Sequence, residues 1–277
     1  MKQIVTSIIL IFTFASTTAQ NVKVMSYNIR LDVASDGENR WDNRKDMLTA
    51  QVLKLSPDFM GVQEALPQQI DYLNANLKGY KYIGVGRDDG KRDGEFSAIF
   101  YNASQYKMLQ QSTFWLSETP DKASFGWDAA CRRVCTYGLF ENSKTKKKIW
   151  IFNTHFDHIG DVARVNSARM ILAKIKEVNT ENLPFALTGD FNLEDDSESI
   201  KLLGADLSDA KKVAKKVSGP VATFNNFNTD EPATKRIDYI FVPKNGVDVT
   251  NYRVIEELKS NRYPSDHFPV YVELKVK

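Results

Sequence analysis

Strand-forming runs recur from Val22 to Val276, and polar, chemistry-bearing residues follow directly on three of them. Val22 to Ile29, Phe59 to Val62, Tyr80 to Gly86, Phe96 to Tyr101 and Val134 to Glu141 are rich in β-branched and aromatic residues. So are Ile149 to Thr154, Phe185 to Thr188, Ile237 to Val242 and Phe268 to Val276. Helical stretches intervene early. Arg44 to Leu55 and Gln68 to Leu77 follow the first two strands, with Pro67 suited to a helix's first turn. Val162 to Val178 carries Val165, Ala168, Leu172 and Ile175 as one apolar stripe, with Asp161 as its expected cap. From Tyr80 to Glu141 the chain reads as strand and turn. This mixture predicts an α/β (α+β) protein, two mixed β-sheets packed face to face with helices outside. A doubly wound parallel sheet is disfavoured, because long crossover helices are missing from the middle and the end.

The first residues read differently. Lys2, an apolar run from Ile4 to Ala15 and the small residues Thr17-Thr18-Ala19 have the pattern of a secretory signal, too short for a membrane span. Residues 1–19 are therefore expected to be a signal peptide and 20–277 a single catalytic domain, exported to the periplasm or secreted. No Cys follows the apolar run, so a lipid anchor is not expected.

The formal charge of +2 falls to +1 without Lys2, because residues 1–19 hold no acid. Such a balance excludes a strongly basic polymer-binding surface. The Lys-rich runs Lys144 to Lys148 and Lys211 to Lys216 read as a solvated hairpin tip and a solvated helix face. Cys131 and Cys135 could bond across a turn but not along an extended strand, and could not hold a metal alone.

Four segments carry the residue types that metal-assisted phosphate-ester hydrolysis needs: Gln63-Glu64, Thr154-His155, Gly189-Asp190-Phe191-Asn192 and Ser265-Asp266-His267. An Asp at position 190 can orient or deprotonate a water, and Asn192 can donate to a phosphate oxygen. Gly-Asp-x-Asn also suits a tight turn, so this segment alone decides nothing. The histidines are His155, His158 and His267, and all fall in candidate motifs. Asp238 precedes an apolar strand and could orient His267, or else pair with Arg236 or Lys235. Glu64, without a neighbouring His or Cys, suits Mg²⁺ better than zinc. Asn28 offers a carboxamide from the end of the first strand.

Taken in order, Ser26-Tyr27-Asn28-Ile29, Gly61-Val62-Gln63-Glu64, Asn153-Thr154-His155, Thr188-Gly189-Asp190-Phe191-Asn192, Arg236-Ile237-Asp238-Tyr239-Ile240 and Ser265-Asp266-His267 closely resemble the endonuclease/exonuclease/phosphatase superfamily. The resemblance implies a four-layered α/β sandwich and Mg²⁺-dependent cleavage of phosphate esters, with Mn²⁺ able to substitute. By it, Glu64 is the principal metal ligand, with Asn28 and Asp266 close to the metal or metals. Asp190 orients or activates water, Asn192 and His155 hold the phosphate, and the Asp238–His267 pair stabilises charge or moves a proton. Which of Asp190 and His267 is the base stays open. Arg30 departs from the pattern of some nucleases in the superfamily, which carry an acid there, and this puts a second metal ligand in doubt.

Phe114 to Pro120, Gly126-Trp127-Asp128, Arg133 to Thr136 and His155-Phe156-Asp157-His158 resemble the deadenylase-like branch of carbon-catabolite-repressor-type exonucleases and their exported bacterial relatives. That likeness adds Arg133 and His158 to the substrate pocket. The expectation is a phosphodiesterase acting on short or terminal substrates, with short or single-stranded nucleic acid among them. No membrane anchor or obligate protein partner is expected. A phosphomonoesterase, a phospholipid phosphodiesterase and an inactive phosphate-binding protein are the alternatives.

Overall fold

The computed structural model describes residues 19–277, so the expected leader lies outside the described residues except for Ala19. In chain order the first half holds β1 (Gln20–Asn28), α1 (Trp41–Leu55), β2 (Phe59–Gln63), α2 (Pro67–Asn76), β3 (Tyr80–Ile83), β4 (Ile99–Asn102), β5 (Tyr106–Trp115) and β6 (Val134–Asn142). Then come β7 (Lys148–His155), α3 (Asp161–Val178), β8 (Phe185–Asp190), α4 (Glu198–Asp206), β9 (Leu207–Asp209), α5 (Ala210–Val213) and β10 (Val217–Ser218). The last strands are β11 (Asp238–Pro243), β12 (Val247–Val254) and β13 (Val270–Val276).

The strands form a 7-stranded sheet, ordered β10-β12-β13-β1-β2-β4-β3, and a 6-stranded sheet, ordered β5-β6-β7-β8-β11-β9. Each sheet contains one parallel pair joined through a helix, β1–β2 through α1 and β7–β8 through α3, flanked by antiparallel neighbours. The period-2 alternation of a strand assigns its faces. On β1, Val22 and Val24 enter the core between the sheets with Phe140, Ile151, Ala186 and Ile240. Met25 and Tyr27 face the other way, beneath Leu48, Val52, Ile70 and Leu73 of α1 and α2. The second sheet repeats the plan, burying Trp150, Phe152 and Phe185 beneath Ala168, Ile171 and Ile175 of α3. The result is the four-layered α/β sandwich expected from the sequence.

Near one end of the sandwich, polar pegs replace the apolar core. Asn153 donates from Nδ2 to the carbonyls of Val62 (2.8 Å) and Ala98 (2.9 Å), and its Oδ1 accepts from Gln63 (2.6 Å) and Thr188 (2.9 Å). Gly61 is what lets them meet: a Cβ there would lie 2.2 Å from Thr188 Oγ1. Buried amides with partners on both sheets fix the register of one sheet against the other.

Several expectations differ from the structure, among them the strand expected from Phe96, which begins at Ile99. Asp161 is the first residue of α3 and not its cap; Asp128 caps the helix from a distant loop, accepting from the Val162 (3.2 Å) and Ala163 (2.7 Å) N–H groups. The strand expected over Tyr80 to Gly86 stops at Ile83, because Gly84 takes a left-handed φ of 124° that bends the chain away. The helix face expected over Lys211 to Lys216 is one turn, α5, ending at Val213. Cys131 and Cys135 are free thiols.

Candidate functional site

Register converts motifs far apart in sequence into one site. Asn28 and Gln63 are paired at the ends of β1 and β2, and His155 and Asp190 at the ends of β7 and β8. Asp238 opens β11 directly opposite Asp190, and His267 precedes β13, which runs antiparallel to β1. All of these positions therefore lie at the same end of the sandwich. They surround a cleft of about 500 Å³ lined by Glu64, Arg133, His155, His158, Asp190, Asn192, Asp266 and His267. Asn28 and Asp238 do not line it; they stand behind the lining residues and hold them.

Asn28 sits at the centre of the acidic side. Its Nδ2 donates to Glu64 Oε1 (3.0 Å) and Asp190 Oδ2 (2.8 Å), while its Oδ1 accepts the Arg30 N–H (3.0 Å). With the oxygen engaged by the backbone, Asn28 acts in this arrangement as a donor that orients two carboxylates. Glu64 itself has a φ of 62°, an uncommon state for a non-glycine residue and one that collects at functional sites. Its second oxygen accepts the Leu31 N–H at 3.1 Å. Ser265 ties the neighbouring loop to β1 by donating to the Asn28 carbonyl at 2.7 Å.

His267 donates from Nδ1 to Asp238 Oδ2 at 2.8 Å, and its Nε2 lies 3.7 Å from Asp190 Oδ2. The anticipated competitors of Asp238 are elsewhere: Arg236 pairs with Asp209 and Asp195. Burial opposes the charged form of His267, but Asp238 and Asp190 outweigh it and hold the imidazole well above its ordinary pKa. Asp190 moves up to about 7, pushed first by burial and then by Asp238, with His267 pulling the other way. His155 goes the opposite way from His267. Burial, with Arg133 and Arg87 adding to it, lowers its pKa well below the ordinary value, so it is neutral. Its Nε2 meets Asn192 Nδ2 at 3.0 Å, and Asn192 also donates to the Phe156 carbonyl at 3.0 Å. Asn192 adopts a φ of 52°, and its N–H donates to Asp190 Oδ1 at 2.9 Å. The tight turn and the functional group are thus the same structure.

The opposite wall is basic. Arg133, almost fully buried, reaches His158 Nδ1 at 3.3 Å and lies 3.7 Å from Asp157 and 3.9 Å from Glu95. Its Nε and Nη1 have no hydrogen-bond partner among the described residues. Buried guanidinium donors left open beside a cleft are costly and are suited to an anionic ligand. Sequence reasoning missed Glu95 and Arg87, which form a 2.8 Å ion pair on this wall with His155 Nδ1 3.8 Å from Glu95. It also missed Phe224, Asn226 and Lys235 at the rim. These residues sit in loops without motif spacing, and no pattern in the chain marks them.

Donor chemistry singles out one cation position among the clusters. Glu64, His155 and Asp190 offer ligand atoms within 4.8 Å of one another. Asp190, Asp238 and His267 do so too, but there Nδ1 is already spent on Asp238. In the Cys131, Asp157 and His158 group, Asp157 is filled by the backbone N–H groups of Cys131, Ile159 and Gly160. Arg30 approaches Glu64 at 3.9 Å and Asp266 at 3.8 Å, too long for hydrogen bonds, and His267 and Arg44 also act on Asp266. Burial and Glu64 raise the Asp266 carboxyl, with His267 pulling it down. Two carboxylates that line the cleft with no side-chain cation in hydrogen-bond contact among the described residues fit a hard divalent ion.

The endonuclease/exonuclease/phosphatase family matches residues 25–267 of this chain. A structure of a member of that family from Bacteroides thetaiotaomicron is 38% identical, covers 94% of this chain and 99% of its own, and superposes with a TM-score of 0.90. A mannosyl-6-phosphatase from the same organism is 39% identical, covers 91% of this chain and 99% of its own, and has a TM-score of 0.87. A 3′-5′-exoribonuclease subunit of the CCR4-Not complex from Mycosarcoma maydis is 24% identical over 94% of this chain and 51% of its own length.

Proposed function

Because the chain belongs to the endonuclease/exonuclease/phosphatase family, whose members are hydrolases of phosphoester bonds, we propose that it removes a terminal phosphate from a small phosphorylated sugar or similar hydroxyl compound. The observation that carries this reading is the size and lining of the cleft. It holds about 500 Å³, and the Arg87–Glu95–Arg133 wall stands opposite its acidic side. Such a site suits one phosphate and a compact leaving group better than an extended strand. Likeness to a mannosyl-6-phosphatase along almost the whole chain supports the monoester over the diester expected from the sequence. The diester reading, cleavage at the end of a short oligonucleotide, keeps the support of the weaker likeness to the exoribonuclease subunit.

Glu64 and Asp266 would hold Mg²⁺, or Mn²⁺ in its place, and the ion would supply charge neutralisation at the phosphate. Asp190, with a pKa of about 7, is the base for the attacking water. His267 is held protonated by Asp238 and so is the poorer base; it donates from Nε2 to a phosphoryl oxygen. Neutral His155 and Asn192 position the phosphate, and Arg133 and His158 bind it or the leaving group from the far wall. Asn28 keeps Glu64 and Asp190 in register. Export follows from the leader pattern alone.

The test is to assay the purified protein on sugar phosphates, phosphate diesters, short oligonucleotides and phospholipids, with Mg²⁺ and with excess chelator. Release of inorganic phosphate from sugar phosphates, lost in chelator and in Asp190→Asn, is the expected result. Preferential shortening of oligonucleotides would replace the monoester reading with the diester one.

A further inference from the structure

The segment between β3 and β4 folds back on itself and carries one acid into the cleft. The Arg87 N–H donates to the Glu95 carbonyl at 3.0 Å, and the Phe96 N–H ties the return to the Ala65 carbonyl at 2.8 Å, next to Glu64. Glu95 Oε2 accepts from Arg87 Nη1 at 2.8 Å. The same oxygen stops 3.8 Å from His155 Nδ1 and 3.9 Å from Arg133 Nη1, too far for a hydrogen bond to either.

Both of those nitrogens are open donors. Asn192 Nδ2 can only donate, so His155 Nε2 accepts from it and the proton of the neutral ring sits on Nδ1. His155 thus acts on the phosphate through Asn192 and turns its N–H to the Glu95 wall. Neither that N–H nor Arg133 Nη1 has a hydrogen-bond partner among the described residues, and all three side chains line the cleft. A buried donor left unpaired is costly, and a ligand atom that satisfies both removes that cost.

Two donors ranged about one carboxylate oxygen select what they take. Without Glu95 the open donors would suit an anion. With it, a phosphate oxygen would accept from both N–H groups and be repelled by the carboxylate. An ammonium would suit Glu95 and be repelled by Arg133. A hydroxyl has two acceptor lone pairs and one proton, so it accepts from His155 and Arg133 and donates to Glu95.

We propose that Glu95, together with His155 Nδ1 and Arg133 Nη1, reads a hydroxyl of the leaving group, so that the favoured substrate is a phosphorylated sugar or polyol rather than an alkyl or aryl phosphate. The inference deepens the monoester reading of this site and rests on it. Glu95 sets specificity and takes no part in the attack of water.

The experiment crosses protein variants with substrate variants. Phosphate release is measured from glucose and mannose 6-phosphates, from their monodeoxy analogues and from phenyl phosphate. The proteins are the native chain, Glu95→Gln and Glu95→Ala, with thermal melts to establish folding. In the native protein, removal of one particular hydroxyl should lower kcat/KM by about 10–100-fold, because the analogue leaves the wall's polar groups unpaired. In Glu95→Ala the same removal should cost no more than about twofold, the spread expected of uncoupled changes, with Glu95→Gln in between. A purely structural role for Glu95 would slow all the esters alike and leave that ratio as it is in the native protein. An unchanged ratio in the folded variants, or no penalty for any missing hydroxyl in the native protein, would overturn the proposal and leave the monoester reading standing. So would release from phenyl phosphate alone. No release from any of these esters would overturn the monoester reading and this proposal together.

Discussion

His267 Nδ1 lies 2.8 Å from Asp238 Oδ2, and the two side chains are 4% and 1% exposed. An imidazole in that contact is held in one orientation with its Nε2 turned toward the cleft, and its charge is stabilised by a carboxylate that water does not reach. If the pair acts as a unit, the losses from Asp238→Asn and His267→Ala overlap. The double variant is expected to lose little more kcat than His267→Ala alone, each falling by about 10²–10⁴. Strictly additive losses in a double-mutant cycle would mean independent roles.

Asn28 touches two carboxylates through one amide nitrogen. Asn28→Ala should leave Glu64 held only by the Leu31 N–H and Asp190 only by the Asn192 N–H. Removing an orienting partner of a metal ligand typically costs about 10–100-fold in metal affinity or activity. Titration of Mn²⁺ into the variant checks this, and native affinity would show that Asn28 orients nothing that matters to the ion.

Gly61 is a point of close approach between the two sheets at the site end, with Thr188 Oγ1 and Asn153 Oδ1 at 2.2 and 2.4 Å from the position of a Cβ. Neither neighbour can swing away without giving up buried hydrogen bonds. Gly61→Ala should therefore destabilise the protein by about 3 kcal/mol. A urea unfolding midpoint equal to that of the native protein would contradict the close approach.

Asp157, buried beside His158, accepts from three backbone N–H groups, which overcome the upward push of burial and lower its pKa to about 2. A depressed carboxyl stabilises the fold above its unfolded pKa of about 4 and loses that contribution as pH falls toward 2. The amount at stake is about 2 kcal/mol. Between pH 4 and 2 the native protein should lose more stability than Asp157→Asn, measured by thermal or urea unfolding at each pH. Parallel curves would show that the loop does not depend on the carboxylate.

Much of the fold was legible because both sheets bury their central strands on two faces, which forces continuous apolar runs such as Ile149 to Phe152 and Phe185 to Leu187. Where that pressure is absent, the signal is too. Strand β5 lies at the edge of its sheet with Lys107, Gln110, Gln111 and Ser112 largely exposed, and it carries no apolar run to detect. Strand β12 alternates Val247, Val249 and Tyr252 with polar neighbours across a bulge, which breaks the period of two. Helix α4, short and lacking a long apolar stripe, escaped in the same way.

For the site, the sequence alone determined which groups exist and in what order. Glu64, His155, Asp190, Asn192, Asp238, Asp266 and His267 are recognisable because each needs a particular neighbour along the chain, such as the glycine before Asp190. The tertiary structure decided what each group meets, and hence its charge. His155 and His267 have the same side chain and similar burial, yet one lies near Arg133 and the other against Asp238, and their pKa values move in opposite directions. Likewise Arg30 became a partner of the acids only through the pairing of β1 with β2 and β13, and Glu95 and Arg87 met His155 and Arg133 only when the two sheets closed on each other. Electrostatic energy depends on separation in space and on the exclusion of water, and spacing along the chain specifies neither.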